Sequence, residues 1–123
     1  ADTIVTLEGK IFGKPNSFDE GNEMLRALSG KTHDVFTGVS IQNIEKKINL
    51  TFNERTKVTL KKLTDEDIVF YLKNHKPYDK SGSYGIQGYF SVFVKKIDGC
   101  YFNIVGLPLH SLYLKLKSIE EKS

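Results

Sequence analysis

The sequence has one cysteine, one methionine, three prolines and no tryptophan in 123 residues. A lone thiol, Cys100, cannot close an internal disulfide. That excludes a cross-linked secreted scaffold and points to a reducing, cytosolic setting. No apolar run approaches the ~20 residues that a membrane-spanning helix needs, and no basic segment followed by an apolar one marks a signal peptide. Walker loops, GxGxxG and paired CxxC are all missing. The three histidines, His33, His75 and His110, stand too far apart for metal-ligand spacing, so each reads as structural or exposed. A charge excess is lacking too. Eighteen basic residues against 15 acidic ones leave +3, and lysines scattered among acids do not make a nucleic-acid surface.

What is present suits one domain over residues 1–123, with eight Phe and six Tyr to fill a core. "TIVTLEGKIFGKP" predicts a hairpin turning at Glu8-Gly9. Ser17 then caps a helix through "FDEGNEMLRALSG", with Glu20 completing a capping box and Gly30 as the stop. Phe18, Met24, Leu25 and Leu28 form its apolar stripe. Val35, Thr37, Val39 and Ile41 alternate as in a half-buried strand. "KKINLTFNERTKVTLKKL" predicts two more strands with a turn in "FNERT". Thr64 caps a second helix over "DEDIVFYLKNHK", whose acids and bases both suit the helix dipole, and Pro77 ends it. "YFSVFVKKIDGCYFNIVGLPL" predicts a strand, a turn at Asp98-Gly99 and a strand. Pro108 opens a final helix with Leu109, Leu112, Leu116 and Ile119 on one face. Strands and helices do not alternate regularly, so the expected fold class is α/β, with a mixed twisted β-sheet and flanking helices. The chain begins at Ala1 already in a strand, and further chain is expected upstream of it.

Three features could carry chemistry. Asp2, at the start of a β-run and followed by the hydroxyl of Thr3, can bind a divalent cation or activate water; an exposed edge carboxylate is the plainer alternative. Lys14, in "GKP", sits on a turn that suits a phosphate oxygen, though a solvated lysine would look the same. The segment "DKSGSYGIQG", Asp79 to Gly88, reads as flexible. Its glycines and serines could free backbone amides to cradle an anion or a base edge. Gln87 offers both a donor and an acceptor, as a base edge requires, and Tyr84 could stack or pack. A flexible loop with a polar cap is the other reading.

Taken in order, "ADTIV", "GKIFGKP", "MLRALSGKTHDVFTGV", "LTDEDIVFYL", "YDKSGSYGIQG" and "FNIVGLPL" resemble the Maf family of nucleoside triphosphate pyrophosphatases, from Ala1 to about Leu116. The resemblance implies the fold of the inosine triphosphate pyrophosphatase group and a cytoplasmic enzyme that splits a triphosphate into monophosphate and pyrophosphate. It also implies a divalent cation, Mg2+ or Mn2+, and suggests a homodimer. Neither a nucleic-acid polymer nor a membrane is an expected partner. By matching motifs, Asp2 is the proton acceptor and metal ligand, and Lys14 belongs to the phosphate-binding set. Lys80 joins the substrate-binding residues, and Thr3 and Gln87 influence which base is accepted. The YGIQG form looks like the branch that prefers dTTP and UTP. The family's SxSPRR motif is absent from this sequence, although its serine and arginines grip the phosphates. Ser81 and Ser83 stand where alanines are usual, and Cys100 where aspartate is common. Without SxSPRR a second reading stands beside the first, that of a non-catalytic nucleotide-binding or interaction module. On the first reading these residues are the C-terminal two-thirds of the family domain.

Overall fold

The computed structural model describes residues 1–122. β1 (Asp2–Leu7) and β2 (Lys10–Phe12) form the expected hairpin. Glu8 and Gly9 turn it with φ of 51° and 81°, since a tight hairpin needs positive φ at both central positions to match the strand twist. α1 (Phe18–Leu28) starts where the Ser17 hydroxyl accepts the Glu20 amide, and Gly30 follows its end at φ 68°. β3 (Thr32–Asn43) and β4 (Ile48–Leu60) make a long hairpin, α2 (Asp65–His75) follows, and β5 (Val94–Asp98) pairs with β4. α2 carries a full capping box between Thr64 and Asp67. α3 (Tyr101–Val105) and α4 (Leu109–Lys122) complete the chain.

The sheet order is β2-β1-β3-β4-β5. The expected sheet with flanking helices is present, and each of its pairings is antiparallel. Adjacent strands meet through hairpins or through helices that return the chain in the opposite sense, so no parallel crossover arises. One face is packed and the other faces water. Odd positions of β1 and β3 (Val5, Leu7, Val35, Val39) and the even positions Val58 and Leu60 of β4 enter the core with Leu25, Leu28, Ile68, Leu72 and Phe90. Gly21 lets α1 sit tightly against its neighbours. A Cβ there would stand 2.9 Å from Ser83 Oγ and 3.1 Å from Leu72 Cδ2.

Three local expectations are corrected. "FNERT" does not turn but lies within the unbroken β4. Its polar residues are tolerated because Asn53 and Arg55 face solvent, while Glu54 meets the Ser111 hydroxyl of α4. The turn falls instead at residues 44–47, where Asn43 Oδ1 accepts the Lys46 amide and Lys47 takes φ 55°. "YFSVF" is a 3-10 turn that buries Phe90 and Phe93 together. "YFNIV" is helix α3 rather than a strand, anchored by Asn103 as described below. The predicted stripe of α4 is also less buried than its pattern suggests, since Leu109 and Leu116 are exposed. Ser111 meets Glu54, Lys115 lies over the Phe52 ring, and Ile119 borders Ile48. Four helical residues advance about 6 Å and two strand residues about 6.7 Å, so from Ser111 to Lys115 the helix keeps step with Glu54 to Phe52 of β4.

Candidate functional site

A cleft of about 240 Å³ lies where the start of β1, the Lys14 corner after β2, the segment 79–86 and α3 meet. Asp2, Thr3, Lys14 and Lys80 line it together. Gln87 is exposed and does not line it, although its neighbour Ile86 does. Asp79, Ser81 and Tyr84 also border the cleft. The charged pair that opens "DKSGSYGIQG" was the only sequence signal for Asp79.

The segment expected to be flexible is pinned. The Ser81 hydroxyl accepts the Val5 amide at 3.0 Å and donates to the Phe12 carbonyl. The Gly82 amide donates to the Gly13 carbonyl at 3.1 Å, which brings Lys80 and Lys14 to the same corner. The Ser83 amide donates to the Lys80 carbonyl and the Gly85 amide to the Tyr71 hydroxyl, both at 3.1 Å. These three amides hold the loop down and are not open to an anion, which corrects the expected cradle at those positions. The stem of Lys80 runs past Gly85, its Cε 3.6 Å from where a Cβ would sit. Its ammonium group lies 3.9 Å from the Asp79 carboxylate.

Strand alternation separates the residues of β1. Thr3 and Val5 face the cleft, while Ile4 and Thr6 lie on the open face of the sheet. Asp2, the first residue of the strand, borders both the cleft and the open-face groove.

Behind Thr3 lies a buried polar cluster. Thr3 and Thr37 are cross-strand partners with hydroxyl oxygens 2.8 Å apart, and the Thr37 hydroxyl donates to the Asn103 carbonyl at 2.8 Å. The Asn103 side-chain amide reaches the Val35 and Glu54 carbonyls, each at 3.1 Å, and Thr56 Oγ1 at 2.9 Å. These bonds tie α3 to the middle of the sheet. They outweigh the strand preference of its Tyr, Phe, Ile and Val residues.

The inner wall rests on a second buried pair, Tyr84 and His33, with Nε2 of His33 2.6 Å from the phenol oxygen. Burial lowers the His33 pKa to about 4, against the smaller opposing pull of Asp34, and the same burial raises that of Tyr84 beyond its ordinary range. Between pH 6.5 and 4 the unfolded chain therefore binds a proton that the folded protein refuses. The contribution is intact above pH 6.5 and is lost progressively as the pH falls toward 4, amounting to about 3 kcal/mol. Denaturant titrations should show stability declining across that window, and His33→Gln should flatten the decline. An equally steep slope in the variant would assign the effect to another group.

The family model described as Maf-like protein matches residues 1–119. A dTTP/UTP pyrophosphatase from Bacillus cereus is 53% identical over 120 residues, spanning 98% of this chain and 62% of that protein. One from Bacillus mycoides is 52% identical over 120 residues, with the same 98% and 62% spans. One from Carboxydothermus hydrogenoformans is 50% identical over 117 residues, spanning 95% of this chain and 63% of that protein. The chain thus spans a little under two thirds of the length of these curated relatives.

Proposed function

The chain belongs to the Maf family, and from that premise we propose that it forms part of a nucleoside triphosphate pyrophosphatase acting on dTTP- and UTP-like nucleotides. The observation that carries the reading is the cleft. Residues from opposite ends of a long stretch of chain, Asp2, Thr3, Lys14 and Lys80, border one cavity. Two lysines and two carboxylates line it beside the apolar surfaces of Val5, Val35, Tyr84, Ile86, Ile104 and Val105. Triphosphate oxygens suit the first group and a planar base the second.

In the proposed reaction the oxygen of water attacks the α-phosphorus. The bond from that phosphorus to the α–β bridging oxygen breaks, and pyrophosphate leaves. Asp2, which borders the cleft, accepts the proton of the water. Lys14 and Lys80 offset negative charge on the departing group. Gln87, one residue outside the lining, would meet the exposed edge of the base. Among the described residues no three His, Cys, Asp or Glu side chains gather as a metal cage. One or two carboxylates supplemented by phosphate oxygens is nevertheless the donor set that Mg2+ or Mn2+ takes in nucleotide enzymes. Asp2 and Asp79 would hold the cation, which when bound offsets phosphate charge. No helix among the described residues is long and apolar enough to cross a membrane. A cytoplasmic location, where nucleotide pools turn over, and a homodimer belong to the same proposal; the exposed apolar side chains of α3 and α4 leave surface for a second copy.

Pyrophosphate release by the intact protein, measured across the common triphosphates, tests the reading. The expected result is fastest release from dTTP and UTP, and release from none of them would overturn it. Gln87→Ala should weaken discrimination among bases more than it weakens phosphate binding. An unchanged substrate profile would remove Gln87 from base recognition.

A further inference from the structure

Charged and apolar side chains both line the cleft, and Thr3 lies on its α3 side. Its hydroxyl oxygen lies 3.7 Å from where a Cβ on Gly106 would sit, beside Val105 of α3. The direction of its hydrogen bond follows from counting protons. A carbonyl oxygen only accepts, so the single hydroxyl proton of Thr37 is spent on the Asn103 carbonyl. The 2.8 Å contact between the two threonines can then be made only by the proton of Thr3, with Thr37 accepting. Thr37 is fully buried, and water has no access to supply it with another arrangement. Thr3 is therefore left with lone pairs and no proton for a ligand. A free hydroxyl adapts to donors and acceptors alike; this one is committed.

We infer that Thr37 is a positioning residue for base selection: by taking up the proton of Thr3, it fixes the Thr3 hydroxyl oxygen as an acceptor that fits the imide N–H of a uracil or thymine ring. Cytosine presents a bare ring nitrogen at the same position, and two acceptors facing each other repel. The selection resides in the buried relay from Thr3 through Thr37 to the Asn103 carbonyl. This inference rests on the reading of the cleft as a nucleotide site, and it adds a residue that no ligand would touch.

The test compares the intact wild-type protein with Thr37→Val and Thr37→Ser, using binding by calorimetry and pyrophosphate release with dTTP and dCTP. Valine keeps the shape of threonine but releases the proton of Thr3, which can then turn and donate to cytosine. The expected result is a fall of about tenfold in the dTTP-to-dCTP preference, the factor set by one hydrogen bond. Thr37→Ser, which keeps the relay, should restore the preference. A loosened structure would instead weaken both nucleotides by a common factor, and that result overturns the inference. So does a wild-type protein that treats the two alike. Preferential dTTP binding without pyrophosphate release would sink the enzymatic reading and still leave the relay measurable through the binding ratio. Binding of neither nucleotide would overturn both.

Discussion

Asp2→Asn should lower pyrophosphate release from dTTP by about 10²–10⁴-fold, the range for loss of a positioned general base. The substitution keeps the size of the side chain and removes its ability to take a proton. Asp2 is exposed at the start of β1 and carries none of the buried core, so the melting temperature should not change. Binding of dTTP should change far less than turnover, because Lys14 and Lys80, the phosphate partners proposed above, still line the cleft. Steady-state kinetics and a thermal melt of the same preparation check both halves. A residual rate within tenfold of wild type would take the proton-acceptor role away from Asp2.

The second large effect is expected at Gly82. Its φ is 74°, and a Cβ there would lie 3.0–3.1 Å from Val5 Cβ, Cγ1 and Cγ2. Gly82→Ala thus incurs the left-handed backbone cost of about 1–2 kcal/mol and an overpacking cost of about 1–3 kcal/mol. Together these should lower the melting temperature by roughly 10 °C. The loop cannot shift to relieve the overlap without breaking the Gly82 amide bond to Gly13 and the Ser81 bonds to β1 and β2. Nucleotide binding should weaken as well, since Lys80 moves with the loop. Gly9→Ala provides the control. That position has φ 81° and nothing within 4 Å of an added Cβ, so it reports the backbone cost alone. Equal losses at the two positions would show that the contact with Val5 is immaterial.

The features legible in the sequence were those set by neighbours along the chain. Ser17, Gly30, Thr64, the Glu8-Gly9 turn and Pro108 all act within a few residues of themselves, and each stands where its chemistry put it. The misread segments depend on distant partners. "FNERT" has the polarity of a turn, yet the open face of the sheet accommodates it in a strand. "YFNIV" has strand propensity, yet Asn103 draws it into a helix across two strands. The glycine-rich segment reads as mobile because its restraints come from Phe12, Gly13 and Tyr71, far away in sequence. Asp2, Thr3 and Lys14 are only weak candidates by residue chemistry, and motif resemblance assigns their roles and adds Lys80. The support from Thr37 and Asn103 had no local signature at all.

The bonds that clamp the cleft, Val5 to Ser81 and Phe12 to Ser81, close loops of 76 and 69 residues. The entropy of such a closure rises only with the logarithm of loop length, so even doubling it would cost about 0.6 kcal/mol. The Ile44–Lys47 tip lies inside that span and outside the cleft lining. Evolution is therefore free to lengthen or trim that tip while the two distant margins of the binding site stay in register.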